Sequence, residues 1–274
     1  MSLIDQYTGF LESQPLWNSN DLFELIQFNT QELFETSTTD KVSEIIISEN
    51  EVLGKRIERF FEHCINESIH YRIISKNIQV FKDKITIGEL DFLLQDVSNK
   101  KLIHVELIYK FYVYDPNIKE ELERWIGSNR KDSLLQKVQK LKTKQLPLLF
   151  KQETKSILEN LELDRSVIQQ EVCYLGHLFV PLSYINKKIP FLNNKCIVGY
   201  WIHLKDFTYD QYKDYLFHIP QKKDWVVNPK SCLNWSSYKT ILKQLEMQLL
   251  QKKSPLLWSK SNEDSYARFF IVWW

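Results

Sequence analysis

Glu89, Asp91, Glu106 and Lys110 lie inside segments that otherwise read as buried strand, TIGELDFLLQDVSNKKLIHVELIYKF at residues 86–111. Two apolar, β-rich runs flank the polar turn Ser98-Asn99-Lys100, the pattern of a β-hairpin. Side chains alternate along a strand, so Glu89 and Asp91 share one face of the first run, and His104, Glu106, Ile108 and Lys110 share one face of the second. A register with Asp91 near Glu106 gathers the polar groups on one side. Two carboxylates ~4 Å apart repel by roughly 4 kcal/mol at an effective dielectric of 20, and burial adds a desolvation cost. Either one acid holds a proton, or a cation sits between them. The competing reading is a solvated polar row on an amphipathic hairpin. It weakens for the set, because Phe92, Leu93, Leu94, Leu102, Ile103, Val105, Leu107 and Ile108 imply burial on both faces. A hard divalent ion such as Mg²⁺ prefers an all-oxygen site of this kind.

The rest of the chain narrows the classes. Its 274 residues, 43% hydrophobic and 14% aromatic, are enough for one large domain or two small ones with a sizeable core. A formal charge of +1 gives no global attraction to nucleic acid, so any such attraction is local. Cys64, Cys173, Cys196 and Cys232 are widely spaced with no CxxC pair, which argues against zinc ribbons and thioredoxin chemistry and for buried free thiols in a reducing cytoplasm. The opening MSLIDQYTGF lacks a signal-peptide pattern, and no apolar run is long enough to span a membrane. With 6 glycines there is no Gly-rich phosphate loop, which argues against P-loop and Rossmann chemistry.

Apolar spacing predicts short helices and turns over residues 1–45, and an amphipathic helix over 50–69 with Leu53, Ile57, Phe60, Phe61, Cys64 and Ile65 on one face. A strand over 73–81 precedes the hairpin, and Asp115-Pro116-Asn117 ends the third strand. Helices are expected over 118–126 and about 130–145, strands over 171–182 and 196–204, a short helix within 206–217, a longer helix over 234–252 and a terminal strand over 267–274.

Helix, three strands, helix, strand, with acids at these places, resembles the PD-(D/E)xK nuclease-like superfamily. The matching motifs are Gly88-Glu89-Leu90-Asp91 and His104-Val105-Glu106-Leu107. More closely, the chain resembles the bacterial domain-of-unknown-function family 1853, through L-G-K-R-I-E at 53–58, G-E-L-D-F-L-L at 88–94, H-V-E-L-I-Y-K-F-Y at 104–112, W-I-G-S-N-R-K-D at 125–132 and Q-L-P-L at 145–148. R-F-F at 268–270 is a weaker echo. The resemblance implies a mixed α/β fold with a restriction-endonuclease-like α-β-β-β-α-β core at 50–182, a helical extension at 1–49 and an aromatic-rich elaboration at 183–274 packed on the core.

Carried over by position, Asp91 and Glu106 resemble the metal-binding pair for Mg²⁺ or Mn²⁺, with the Leu107 carbonyl as a further ligand. Glu58 matches a supplementary helix-borne acid, against a plain solvated glutamate beside Arg56 and Arg59. Glu89 is expected behind the metal ligands or paired with a lysine. The family's Glu-x-Lys spacing spans about 6.6 Å of strand, but Ile108 holds that place here, and Lys110 lies about 13 Å on. Either the strand is bulged after Glu106, or another cation such as Lys137 takes the role, or the site no longer cleaves. His104 reads as structural.

Asn129 and Asp132 resemble a capping box, which would put Arg130 and Lys131 at a helix N-terminus where an anion, such as a phosphate, is welcome. Residues 124–151 hold eight basic residues and one acid, Asp132; the plain reading is a solvated basic face, the functional one contact with a phosphate backbone. The expected activity is metal-dependent phosphodiester hydrolysis of DNA or, second to it, RNA. The alternatives are a catalytically inactive nuclease-fold module that binds nucleic acid or protein, and a structural protein with exposed acids.

Overall fold

The computed structural model describes residues 1–19, 22–262 and 265–274. In chain order the helices are α1 (Leu3–Leu11), α2 (Gln31–Thr36), α3 (Leu53–Glu67), α4 (Leu134–Lys140), α5 (Gln152–Asn160), α6 (Tyr209–Tyr212) and α7 (Tyr238–Leu250). The strands are β1 (Tyr71–Lys82), β2 (Ile85–Asp96), β3 (Leu102–Tyr114), β4 (Trp125–Gly127), β5 (Ile168–Pro181), β6 (Ile197–His203), β7 (Leu216–His218), β8 (Ser236–Ser237), β9 (Leu256–Asn262) and β10 (Ser265–Val272). All ten strands form one mixed sheet in the order β1-β2-β3-β5-β6-β10-β9-β7-β8, with β4 added beside β3.

The first three strands form an antiparallel meander, built by its turns. Asp83 and Lys84 both have positive φ between the pairs Lys82↔Ile85 and Phe81↔Thr86, a two-residue turn whose twist suits a hairpin. At the second turn the Asp96 carboxylate accepts from the Ser98 and Asn99 side chains while Lys100 takes positive φ. β3, β5, β6 and β10 then run parallel, and the β3–β5 crossover carries α4 and α5.

β3 shows how the sheet is buried on both faces. Ile103, Val105 and Val113 pack with α1, α3 and the first aromatic cluster, which contains Tyr7, Phe10, Phe60 and Phe61. Ile108, Tyr112 and Tyr114 point the other way, against Leu134, Val138 and Leu141 of the α4 segment. Period-two alternation thus assigns each residue to one of two cores. Beyond β10, α6 and α7 enclose a further cluster around Phe207, Phe217, Phe269 and Ile271.

Most expected elements are present, with three corrections. Residues 118–126 are not a helix: a short 3₁₀ turn at Glu121–Arg124 leads into β4, because the Arg124 guanidinium binds the Ile118 carbonyl, Tyr114 Oη and Glu121 and gathers the loop. The helix expected from 130 begins at Leu134, and at Leu141–Gln145 it widens to a π turn before 3₁₀ turns pass through Pro147 to Phe150. Helix α5 and strands β7, β8 and β9 were not expected. All four cysteines are free and buried. Among the described residues no helix is long and apolar enough to cross a membrane.

Candidate active site

The ladder between β2 and β3 runs from Gln95↔Leu102 to Phe92↔Val105 and stops. The next positions on the two strands are Asp91 and Glu106. There β2 leaves β3 while staying paired with β1, through Leu90↔Ile78 and Gly88↔Val80. Gly88 permits this path: a Cβ there would stand 2.6 Å from the Leu148 side chain. The backbone N–H of Leu107 donates to Asp91 Oδ2 at 2.9 Å, so the carboxylate fills the place of a ladder partner.

Glu106 is fully buried and held on both oxygens. His104 Nε2 lies 3.1 Å from Oε1, and the Gln145 amide donates to Oε2. Gln170 Nε2 donates to the Leu146 carbonyl and approaches His104 Nδ1 at 3.0 Å. An amide nitrogen only donates, so Nδ1 accepts and Nε2–H is the donor to Glu106. Gln145 in turn accepts from Lys137 Nζ at 2.7 Å, so one amide links the ammonium to the carboxylate. The π turn that precedes Leu146 places Gln145 in this position.

Burial raises the Asp91 carboxyl to about 8, with the Glu106 charge next and Glu58 and Glu89 adding to it, against the Leu107 N–H. Burial lowers the Lys137 ammonium, helped by Lys140 and Lys110 and opposed by Glu106 and Asp91. Glu58 binds Lys55 at 2.7 Å, and Lys55 lies 3.6 Å from Glu89, so both outlying acids share a lysine. Gln79 also donates to Glu89. Arg56 is not beside Glu58: it is buried and spent on the carbonyls of Ser48, Glu49 and Glu51 and on Gln6.

Lys110 is elsewhere. From Leu102 to Val113, β3 pairs with β5 in unbroken register, without the bulge that would shorten the distance from Glu106. Lys110 Nζ instead binds Asp132 Oδ2 at 2.7 Å. The capping box at Asn129 is also absent. Ser133 caps α4, accepting from the Gln136 N–H, while Asn129 Oδ1 accepts from the Ser254 N–H. Arg130 has positive φ, pairs with buried Asp115 at 3.0 Å and lies 4.5 Å from the Trp274 ring. Lys131 is exposed. The segment Asn129–Lys131 is therefore a clamped loop rather than a helix N-terminus.

The structure thus brings together Asp91, Glu106, Glu58, Glu89 and Lys137 and sets Lys110 and Arg130 aside. Gln145 and Gln170 are the partners that sequence reasoning passed over; the only pointer to Gln145 was its place in Q-L-P-L, where the helical spacing ends. Among the described residues no group of three or more His, Cys, Asp or Glu side chains could hold a metal by itself. Two carboxylates do suit Mg²⁺, which keeps several waters and is held by one or two protein acids. Beyond burial, the charges of Glu106, Glu58 and Glu89 raise Asp91, and a bound cation would offset that part.

No curated protein and no solved structure matches the chain. A domain of unknown function, DUF1853, matches residues 12–272. Since that match takes in nearly the whole sequence and both acids of the site, the chain belongs to the DUF1853 family.

Proposed function

We propose that this chain is a metal-dependent phosphodiesterase of the PD-(D/E)xK nuclease-like type, acting on DNA or, second to it, RNA. The observation that carries the reading is the meeting of Asp91 and Glu106 where β2 and β3 part, with the Lys137 ammonium one amide away. The order α3-β1-β2-β3-β4-α4-α5-β5, a helix, a three-stranded meander, helices and a parallel strand with the short β4 and the additional α5 inserted, supports it. Asp91, Glu106 and the Leu107 carbonyl would hold Mg²⁺ or Mn²⁺, which when bound supplies Lewis-acid stabilisation of a phosphoryl group.

The protein's own part is positioning. The Leu107 N–H orients Asp91, and His104 and Gln145 fix Glu106. Lys137 brings an ammonium toward the charge that develops on phosphorus oxygens, the role that the straight strand denies to Lys110. Lys131, with Arg130 where its Asp115 pairing allows, offers phosphate-backbone contacts beside the site.

The second reading is a nuclease-fold module that binds without cleaving. It is favoured by the hydrogen bonds that already occupy both Glu106 oxygens. A Mg²⁺- and Mn²⁺-dependent cleavage assay on single- and double-stranded DNA and RNA separates the two. Cleavage lost in Asp91→Asn supports the first. Binding of nucleic acid with no metal-dependent cleavage supports the second, and neither binding nor cleavage rejects both.

A further inference from the structure

On the α1 side of the sheet, away from Asp91 and Glu106, a cavity of about 340 Å³ lies between α1, the loop at 226–230 and strands β5, β6 and β10. Arg268, His177, Lys230 and Glu12 line it. The Arg268 guanidinium is half-buried, makes no side-chain hydrogen bond or ion pair with another described residue, and feels the charge of Glu12. His177 is 5% exposed, and its Nδ1 has no partner. A part-buried guanidinium and a buried imidazole with an orphaned nitrogen, both on the wall of one cavity, call for a ligand.

The hydrogen bonds behind His177 define what it can accept. The Ser13 hydroxyl donates to the Gly9 carbonyl at 2.9 Å, so at 2.8 Å it must accept from Tyr109 Oη. Tyr109 Oη has then used its only proton, so at 3.3 Å it accepts from His177 Nε2–H. Nδ1 is left with a lone pair. Burial, and then the Arg268 charge, lower the imidazole to about 3, so the lone pair persists at neutral pH. The cavity therefore offers cations to an oxyanion and an acceptor to a hydroxyl. An adjoining cavity of about 660 Å³ shares Arg268 and Tyr266 and adds Lys187 and Lys188, so the cations outnumber Glu12 and suit a doubly charged group.

We propose that this cavity is a second ligand site, for a small phosphomonoester that also carries a hydroxyl group, the chemistry of a sugar phosphate. Arg268 and Lys230 take the phosphate, His177 Nδ1 accepts a hydrogen bond from the hydroxyl, and Tyr266 forms part of the wall shared with the adjoining cavity. This inference does not depend on the reading of Asp91 and Glu106.

Calorimetry on the full chain with ribose 5-phosphate, inorganic phosphate and ribose tests it. Ribose 5-phosphate is expected to bind saturably, about tenfold or more tighter than inorganic phosphate, with ribose alone not binding. Arg268→Gln should weaken ribose 5-phosphate by about tenfold or more, and His177→Phe should erase its advantage over inorganic phosphate. If either variant fails to fold, the ¹⁵N resonance of His177 Nδ1 in the unaltered protein serves instead: it should move on titration with ribose 5-phosphate. No saturable binding, equal affinity for inorganic phosphate, an Arg268→Gln protein that binds as well as the original, or an unmoved Nδ1 resonance at saturation would each overturn the proposal.

Discussion

At the scale of single residues, the site depends on one proton. The Asp91 carboxyl is raised from its ordinary value of 3.8 to about 8, by burial first and the Glu106 charge second. Between those two values the folded protein keeps a proton that the unfolded chain has released. Stability therefore declines as pH rises through that window and levels off above about 8. Metal-free urea denaturation across pH should show this decline. Asp91→Asn, which still offers an oxygen to the Leu107 N–H, should flatten it and be the more stable protein at about pH 8 and above. A parallel decline in the variant would mean that another group causes it. A divalent ion competes with the same proton, so Mg²⁺ should raise the melting temperature more at alkaline pH than at mildly acidic pH. The two lysines divide in the same way. Lys137→Met should lower cleavage by about 100-fold or more, whereas Lys110→Met, which removes only the partner of Asp132, should leave it close to the original. Equal losses from the two changes would refute this division of roles.

At the scale of elements, the turn between β4 and α4 sets where Lys137 can reach. The Gly127 N–H donates to the Asp132 carbonyl at 2.8 Å, and a Cβ on Gly127 would fall 2.1 Å from Asp132 Oδ1. Gly127→Ala should therefore push the Asp132 carboxylate away from Lys110 and cost about 1 kcal/mol or less, read from the urea midpoint. Arg130→Ala should cost about 1–3 kcal/mol by leaving Asp115 buried without its partner, while exposed Lys131→Ala should change stability little. These elements also show what the sequence reveals and what it hides. The β1–β3 meander was legible because Ser98-Asn99-Lys100 is a local turn between long apolar runs. Helix α3 was legible because its apolar positions repeat at helical spacing. The pairing of Asp91 with Glu106 followed from alternation plus the turn. The engagement of Asn129 by Ser254 and of Arg130 by Asp115 was not legible, since those partners are remote in sequence. The π turn was likewise hidden, because Leu141–Gln145 has ordinary helix-forming residues and only the buried Glu106 rewards the wider turn.

At the scale of the whole molecule, the short strands β7 and β8 were invisible in the sequence because two or three residues carry no periodicity, yet they complete a sheet that reaches back to the site. The principal core joins Tyr7 and Phe10 of α1, Phe60 and Phe61 of α3, Phe179 of β5 and Phe270 of β10. Trp274, two residues beyond β10, donates from Nε1 to the Ser128 carbonyl at 3.0 Å and stacks on Arg130, so the C-terminus braces the loop that leads into α4. Strand β5 meets solvent along one edge if β6 is removed, and Phe60 of α3 loses its ring contacts with Tyr7 and Phe10 if α1 is removed. Residues 50–182 contain the whole candidate site, but only part of the apolar surface that covers it. Expressed alone, this segment should fail to unfold cooperatively. Trp125 is its sole tryptophan and is fully buried in the complete chain, so its fluorescence reports on the fragment without interference. A sloping, non-cooperative urea curve with solvent-exposed Trp125 emission is the expected result. A sharp transition with the buried emission of the full chain would instead show that 50–182 folds independently, and that α1 and β10 only decorate it.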